Sequence, residues 1–249
     1  QILLDAASAA GVEIRQPARA LKPVTENGNV VGIETAHTRI VASWVVDATG
    51  GQHWLARQLG IPRRFCSPRL IAHYGYARGD RLPDGGAPEI VADETGWTWT
   101  AKIADDHYTW TRLSFVRADP KRDQPPSTFS TLTPIGPSRG ADVTWRMVER
   151  PAGPGYLCAG DAAAVLDPAS SHGVLKALMS GMMAGHVIAE HRTGNASRVA
   201  AIRTYAAWIK GQFEADVAAL RDLYRDLPDP PDWICNNADL SSGNERLVI

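Results

Sequence analysis

Residues 156–185 read YLCAGDAAAVLDPASSHGVLKALMSGMMAG, and this stretch restricts the fold more than any other. Residues 156–159 form an apolar run long enough for a buried strand. Gly160-Asp161 follows at its carboxyl end. Pro168 blocks helix continuation, and Ser170, Ser171, His172 and Gly173 lead into a helix from about Val174. Open α/β sheets bind ligands outside the carboxyl ends of their strands, and helix N-termini present unpaired N–H groups. Both features fall within a few residues here.

The rest of the chain supplies the frame. Residues 2–10 have helical spacing and stop at Gly11, and residues 12–15 read as a short strand. Asn27-Gly28 is a strong hairpin signal between residues 20–25 and 30–35. With residues 39–43 it predicts an antiparallel meander. Trp44-Val45-Val46 reads as a buried strand ending in Asp47-Ala48-Thr49-Gly50, and a helix over 54–59 ends at Gly60. Residues 70–78, 89–93, 96–103 and 108–117 predict a second, antiparallel sheet. Residues 119–140, rich in Pro, Ser and Thr, read as a long mobile loop, and residues 143–148 return to strand character. The helix at 174–191 is apolar or small most of the way round and reads as buried. Ile202, Tyr205, Ile209, Phe213, Val217, Leu220, Tyr224 and Leu227 mark one long amphipathic helix, ended by prolines from Pro228.

Composition excludes several classes. A net charge of −1 leaves no electrostatic footprint for nucleic acid or an anionic membrane. No apolar run is long enough to span a bilayer, and no signal peptide opens the chain. Cys66, Cys158 and Cys235 are few, odd in number and far apart. That argues against a disulfide framework or thiolate metal site and for a reducing, cytoplasmic setting. His186, Glu190 and His191 miss zinc-protease spacing, so no metal is expected. Gln1-Ile2-Leu3-Leu4 starts in mid-helix, which reads as the later part of a longer protein.

Several residues could carry chemistry. Small residues at 47–50 let backbone approach a ligand; equally, Asp47 or Thr49 could simply cap the turn. Asp161, just past a strand end, could accept hydrogen bonds from sugar-alcohol hydroxyls or cap a helix. His172, at a helix N-terminus, is a candidate hydrogen-bond donor kept neutral by the helix dipole, or a histidine satisfied by backbone. Trp97 and Trp99 share one sheet face, and Trp110 and Arg112 form a further row. With His73 and Tyr74 these could line an aromatic pocket or pack a small core.

The turn at 47–50, the Gly160-Asp161 pair and the segment from Pro168 to Gly173 together resemble the FAD-binding motifs of flavoprotein monooxygenases. The resemblance is nearest to a halogenase-like subgroup that includes flavoproteins hydroxylating tryptophan during quinone-cofactor maturation. Residues 69–79 (RLIAHYGYARG), 96–99 (GWTW) and 140–146 (GADVTWR) extend it over most of 2–194. It implies an α/β fold: a doubly wound, glutathione-reductase-like FAD domain (1–66 and 149–194), an inserted antiparallel substrate domain (67–148), and a C-terminal helix and tail (195–249). The Gly-x-Gly-x-x-Gly fingerprint of the first βαβ unit is absent; Gly153-Pro154-Gly155 comes nearest.

The resemblance also implies the site. FAD would be held by Asp47, Ala48, Thr49, Gly50, Gly160 and Asp161, with Asp161 on the ribityl hydroxyls. Pro168 would lie beside the isoalloxazine, and the N–H groups of Ser171, Gly173, Val174 and Leu175 would face its N1 and C2 carbonyl edge. The implied reaction is hydroxylation of an indole or phenol through a flavin C4a-hydroperoxide. The substrate is an aromatic, including a tryptophan within a partner polypeptide, and a separate flavin reductase is a possible source of electrons. Halogenases carry Trp-x-Trp-x-Ile-Pro, and a Thr-Gly where this chain has His172-Gly173; here Thr100-Ala101-Lys102 follows Trp99. Hydroxylation is therefore expected over halogenation. A non-catalytic scaffold is the alternative of another class.

Overall fold

The structure is a computed structural model that describes residues 2–80, 85–116, 119 and 121–235. Helix α1 (Ile2–Ala9) ends at Gly11 and contributes no buried residue. Residues 12–15 are irregular rather than a strand, with no strand partner among the described residues. Strands β1 (Lys22–Glu26), β2 (Asn29–Glu34) and β3 (Arg39–Val41) form the expected meander. Its first turn has positive φ at both Asn27 (49°) and Gly28 (77°), as a two-residue hairpin requires. Strand β4 (Val45–Asp47) and helix α2 (Trp54–Gln58) follow, then β5 (Arg63–Phe65).

A six-stranded antiparallel sheet comes next. It contains β6 (Ile71–Arg78), β7 (Glu89–Asp93), β8 (Gly96–Ala104), β9 (His107–Ser114), β10 (Thr133–Pro134) and β11 (Arg139–Asp142). The order is β10-β6-β9-β8-β7, with β11 also paired to β6. The segment expected to be a loose loop is therefore largely structured: it contributes β10 and β11 and buries Phe129 and Leu132 against Ala77, Tyr108 and Trp110. Arg117, expected at the end of a strand, and the tail from 236 lie outside the described residues.

Strands β12 (Arg146–Val148), β13 (Ala152–Gly153), β14 (Tyr156–Cys158) and β15 (Ala164–Val165) complete two three-stranded sheets, β15-β12-β5 and β13-β14-β4. Of Gly153-Pro154-Gly155, Gly153 ends β13 and Pro154-Gly155 is the turn into β14. Val30 N–H donates to Pro154 O at 2.9 Å, and a Cβ on Gly155 would lie 1.9 Å from Val30 O. That close approach to β2 is what these residues serve. The parallel pairing among the described residues is β4 with β14, in register Val45↔Tyr156, Val46↔Leu157 and Asp47↔Cys158.

Helices α3 (Gly173–Arg192), α4 (Arg198–Arg225) and α5 (Asp232–Cys235) end the described chain. The α4 stripe is buried as its periodicity predicts from Tyr205 to Tyr224; at its ends Ile202 is half-buried, and Leu227, also half-buried, lies beyond the helix. Helix α3 is not enclosed: Ser180, Ala184 and Val187 are buried, while Val174, Leu175, Leu178, Met179 and Met182 are exposed. Its pattern is apolar on two faces, and one of them meets α4.

The tryptophans are largely structural. Trp145 stacks at 5.7 Å on Tyr224 and edge-on at 5.1 Å against Trp233, while Trp97 Nε1 donates to Tyr224 Oη at 2.8 Å. Arg112 is 2% exposed. It donates to Asp93 Oδ1 (2.8 Å) and to Asp119 Oδ2 (3.0 Å). Burial pulls the Asp93 carboxyl upward, but bonds from Arg112 and Thr95 outweigh it and hold it well below the usual range. Removing one partner of a buried ion pair strands the others. Arg112→Met should therefore lower stability by about 3–5 kcal/mol in urea denaturation; a loss under about 1 kcal/mol would show that the cluster is dispensable.

Candidate active site

Strands β4 and β14 run side by side, so the chain leaves the sheet at two adjacent points. Ala159 N–H donates to Asp47 O at 2.8 Å, locking the two exits together. From β4 emerges the turn at 48–51; from β14 emerges the short helical turn Gly160–Ala162.

The two turns use their residues differently from the expectation. Asp47 is 2% exposed and turned inward: Oδ1 accepts from Thr49 N (2.9 Å) and Oδ2 from Leu55 N (2.8 Å). Its carboxylate shapes the turn and caps α2, so it is not available to a ligand. Nor is β4 a buried strand, because Val46 is exposed and the strand is the edge of its sheet. Ala48 and Thr49 are exposed, and Gly50 takes φ +84° with open space where a Cβ would be. Gly160 takes φ +57°, and its N–H donates to Ser180 Oγ at 2.8 Å. A Cβ there would lie 3.2 Å from Ala177 Cβ, which sets how closely α3 sits against the turn. Asp161 is exposed, with no hydrogen-bond partner among the described residues.

The third component is the N-terminus of α3. Asp167 is fully buried, and its Oδ1 caps the turn Pro168–Ser170 through Ala169 N at 2.9 Å. Its Oδ2 accepts from Trp145 Nε1, and Tyr224 is a further partner. Ser171 then adopts the left-handed conformation (φ 53°), and its N–H, expected to face a ring, instead donates to Pro168 O at 2.9 Å; His172 is the N-cap without a side-chain capping bond. The first helical bond runs from Lys176 N to His172 O, leaving the N–H groups of Gly173, Val174 and Leu175 without intrahelical partners. Residues 171–175 are exposed, Pro168 likewise, and a Cβ on Gly173 would meet nothing within 4 Å. Tyr205 Oη ties the assembly from behind, donating to Cys158 O at 2.8 Å and reaching Ser180 O at 3.3 Å.

The expected aromatic pocket is divided by the sheet. Registers Trp97↔Leu113, Trp99↔Thr111 and Tyr74↔Thr111 put Trp97, Trp99 and Tyr74 on one face. Registers Thr98↔Arg112, Thr100↔Trp110 and His73↔Arg112 put Trp110, Arg112 and His73 on the other. Trp97, Trp110 and Arg112 are buried by the protein's own side chains. That leaves Tyr74 and Trp99, both half-buried, on one face and His73 on the other. A cavity of about 400 Å³ lies elsewhere, between β5 and α4 beside Cys66 and Phe213.

Two neighbours of the site were not among the expected site residues: His53, 0% exposed, which carried no sequence signal, and Arg146, 5% exposed, which the sequence marked only as the end of the GADVTWR segment. They join the two turns from behind. Among the described residues no group of three or more His, Cys, Asp or Glu could hold a metal ion, and no helix is long and apolar enough to cross a membrane.

No protein-family model matches the chain. Its mixed α/β fold is shared with flavin-dependent halogenases of known structure. It is similar to the flavin-dependent brominase Bmp2, with TM-score 0.77 and 22% identity over 88% of this chain and 61% of that one. It is similar to the myxobacterial chondrochloren halogenase CndH, with TM-score 0.79 and 20% identity over 90% and 57%. It is also similar to the peptidyl tryptophan dihydroxylase QhpG, essential for tryptophylquinone cofactor biogenesis, with TM-score 0.69 and 20% identity over 90% and 53%. Among curated proteins, digeranylgeranylglycerophospholipid reductase of Haloferax volcanii is 32% identical over 110 residues, 43% of this chain and 26% of that protein. The chain thus spans about a quarter of that relative's length.

Burial pushes the Asp167 carboxyl up to about 6, against bonds from Trp145, Tyr224 and Ala169 and the charge of Lys176 that act to lower it. A carboxyl with a higher pKa folded than unfolded contributes stability below its unfolded pKa and loses it as pH rises through the folded value. From an ordinary value of 3.8 to about 6, wild type should lose about 3 kcal/mol relative to Asp167→Asn. Urea denaturation of both proteins between about pH 4 and pH 7 measures this. A gap that does not change with pH would contradict a buried, ionising Asp167.

Proposed function

We propose that this chain is the ring-facing part of an FAD-dependent monooxygenase that hydroxylates an aromatic ring. One observation carries the reading. Two turns at the ends of adjacent parallel strands and the start of α3 are exposed on their front and held rigidly from behind. The donor set fits FAD. Asp161 offers a free carboxylate to ribityl hydroxyls, residues 48–50 offer close backbone approach, and Pro168 would flank the ring. The unpartnered N–H groups of Gly173, Val174 and Leu175 would hold negative charge on the ring's N1 and C2 carbonyl edge. When bound and reduced, FAD supplies the oxygen-activating chemistry; the protein orients the substrate and excludes water.

The remaining assignments rest on the same reading. His172, exposed beside Gly173, is the candidate donor to oxygen or substrate. Tyr74 and Trp99 are the candidate aromatic contacts for substrate. The outer edge of β4, with exposed Val46, and the exposed face of α3 are the surfaces that a dinucleotide-binding βαβ unit of a doubly wound domain would cover. A tryptophan within a partner polypeptide is the preferred substrate, supported by the likeness to a peptidyl tryptophan dihydroxylase. A separate reductase as electron source and a cytoplasmic setting are parts of the same proposal. Halogenation is the second reading, supported by the likeness to a brominase and a chondrochloren halogenase.

The test uses the protein expressed from its whole gene, with a tryptophan-bearing peptide, ¹⁸O₂ and bromide present together. The expected result is a yellow protein whose product carries ¹⁸O and no bromine, and an Asp161→Ala variant that binds FAD at least about tenfold more weakly, the loss of a charged hydrogen bond. A brominated product would favour halogenation. A colourless protein that takes up no FAD would favour a scaffold.

A further inference from the structure

We infer that Arg146 and His53 are positioning residues that set the spacing between the two turns assigned to FAD, an inference that rests on the function proposed for this site. Arg146 Nε donates to His53 Nε2 at 3.0 Å, and Nη2 donates to Gly51 O at 2.9 Å. Nη1 donates to Thr144 O at 2.9 Å and to Asp142 Oδ1 at 3.1 Å. An arginine can only donate, so His53 Nε2 is the acceptor and the ring hydrogen sits on Nδ1. That Nδ1–H donates to Ala162 O at 3.0 Å. The chain of bonds therefore runs from the first turn (Gly51), through Arg146 and His53, to the second (Ala162).

The electrostatics agree with this arrangement. Burial pushes the His53 imidazole down, and the nearby Arg146 pushes it further, against the upward pull of its bond to Ala162. A neutral ring is what the two bonds require. Asp161, exposed on the other side of its turn, interacts favourably with the Arg146 charge. The fit is close, because a Cβ on Gly51 would lie 3.3 Å from Arg146 Nη2. His53 itself takes φ +50°, a conformation that asparagine tolerates better than most residues. Well-packed apolar side chains serve stability as well as a buried charge does, so a buried arginine bonded on all three nitrogens is better explained by the geometry it imposes.

The test compares wild type, Arg146→Met, Arg146→Lys and His53→Asn, each expressed from the whole gene. FAD affinity comes from titration, and amide hydrogen exchange without FAD is followed at residues 48–51, at 160–163 and in β8 and β9. Arg146→Met should weaken FAD binding at least about tenfold, while exchange rises at both turns and stays near wild type in β8 and β9. Arg146→Lys keeps the charge but cannot reach His53, Gly51 and Thr144 together, so it should fall between. His53→Asn keeps a donor toward Ala162 and loses the arginine; in the Arg146→Met background it should add no further loss. If Arg146→Met does not fold, the lysine and asparagine variants carry the same comparison. Wild-type affinity in the variants, or exchange that rises uniformly, would overturn the clasp and leave the flavin reading standing. A wild type that binds no FAD would overturn both.

Discussion

The parallel pairing of β4 with β14 governs everything at the candidate site. Its register cannot slip by one residue without turning Asp47 outward and Leu157, fully buried, into solvent. The two exits from the sheet are therefore fixed before any ligand is considered. Each strand gives way to a turn whose backbone takes positive φ, at Gly50 in one and Gly160 in the other, and the chain folds back on itself there.

Behind these turns the interior is unusually polar. Asp47, His53, Arg146, Asp167 and Ser180 are all buried, and each bonds to the backbone of a turn or of the α3 approach. A buried polar group left unpaired is costly, so each of them holds its turn in one arrangement. In front the pattern reverses. Asp161, the α3 N–H groups, Val46 and the α3 apolar side chains are open. Rigid support on one side and open donors and a carboxylate on the other are what a preorganised binding surface requires.

Much of this was legible in local sequence. The Asn27-Gly28 turn and the α4 stripe depend on neighbours a few residues apart, and both formed where the pattern put them. The strand–turn–helix order around Gly160 was readable for the same reason. What failed was long-range. Residues 119–140 looked loose, because Phe129 and Leu132 are two apolar side chains among polar ones; their burial against Trp110 depends on a sheet face that local pattern does not reveal. Helix α3 looked buried, since its apolar surface exceeds what α4 covers. Two-residue alternation correctly grouped Trp110 with Arg112. It did not reveal that their face is closed by Asp93, Asp119 and the segment beyond. His53 and Arg146 lie 93 residues apart, and nothing in either neighbourhood announces the bond between them.

The central claim is that the open N–H groups of Gly173, Val174 and Leu175 face a flavin ring while Asp161 grips its polyol. A crystal structure of the protein expressed from its whole gene, grown with FAD, tests it directly. The account predicts the ring's N1 and C2 carbonyl edge within hydrogen-bond distance of those amides, with ribityl hydroxyls on Asp161. Finding the same amides covered by the protein's own side chains, with FAD bound elsewhere or not at all, would contradict it.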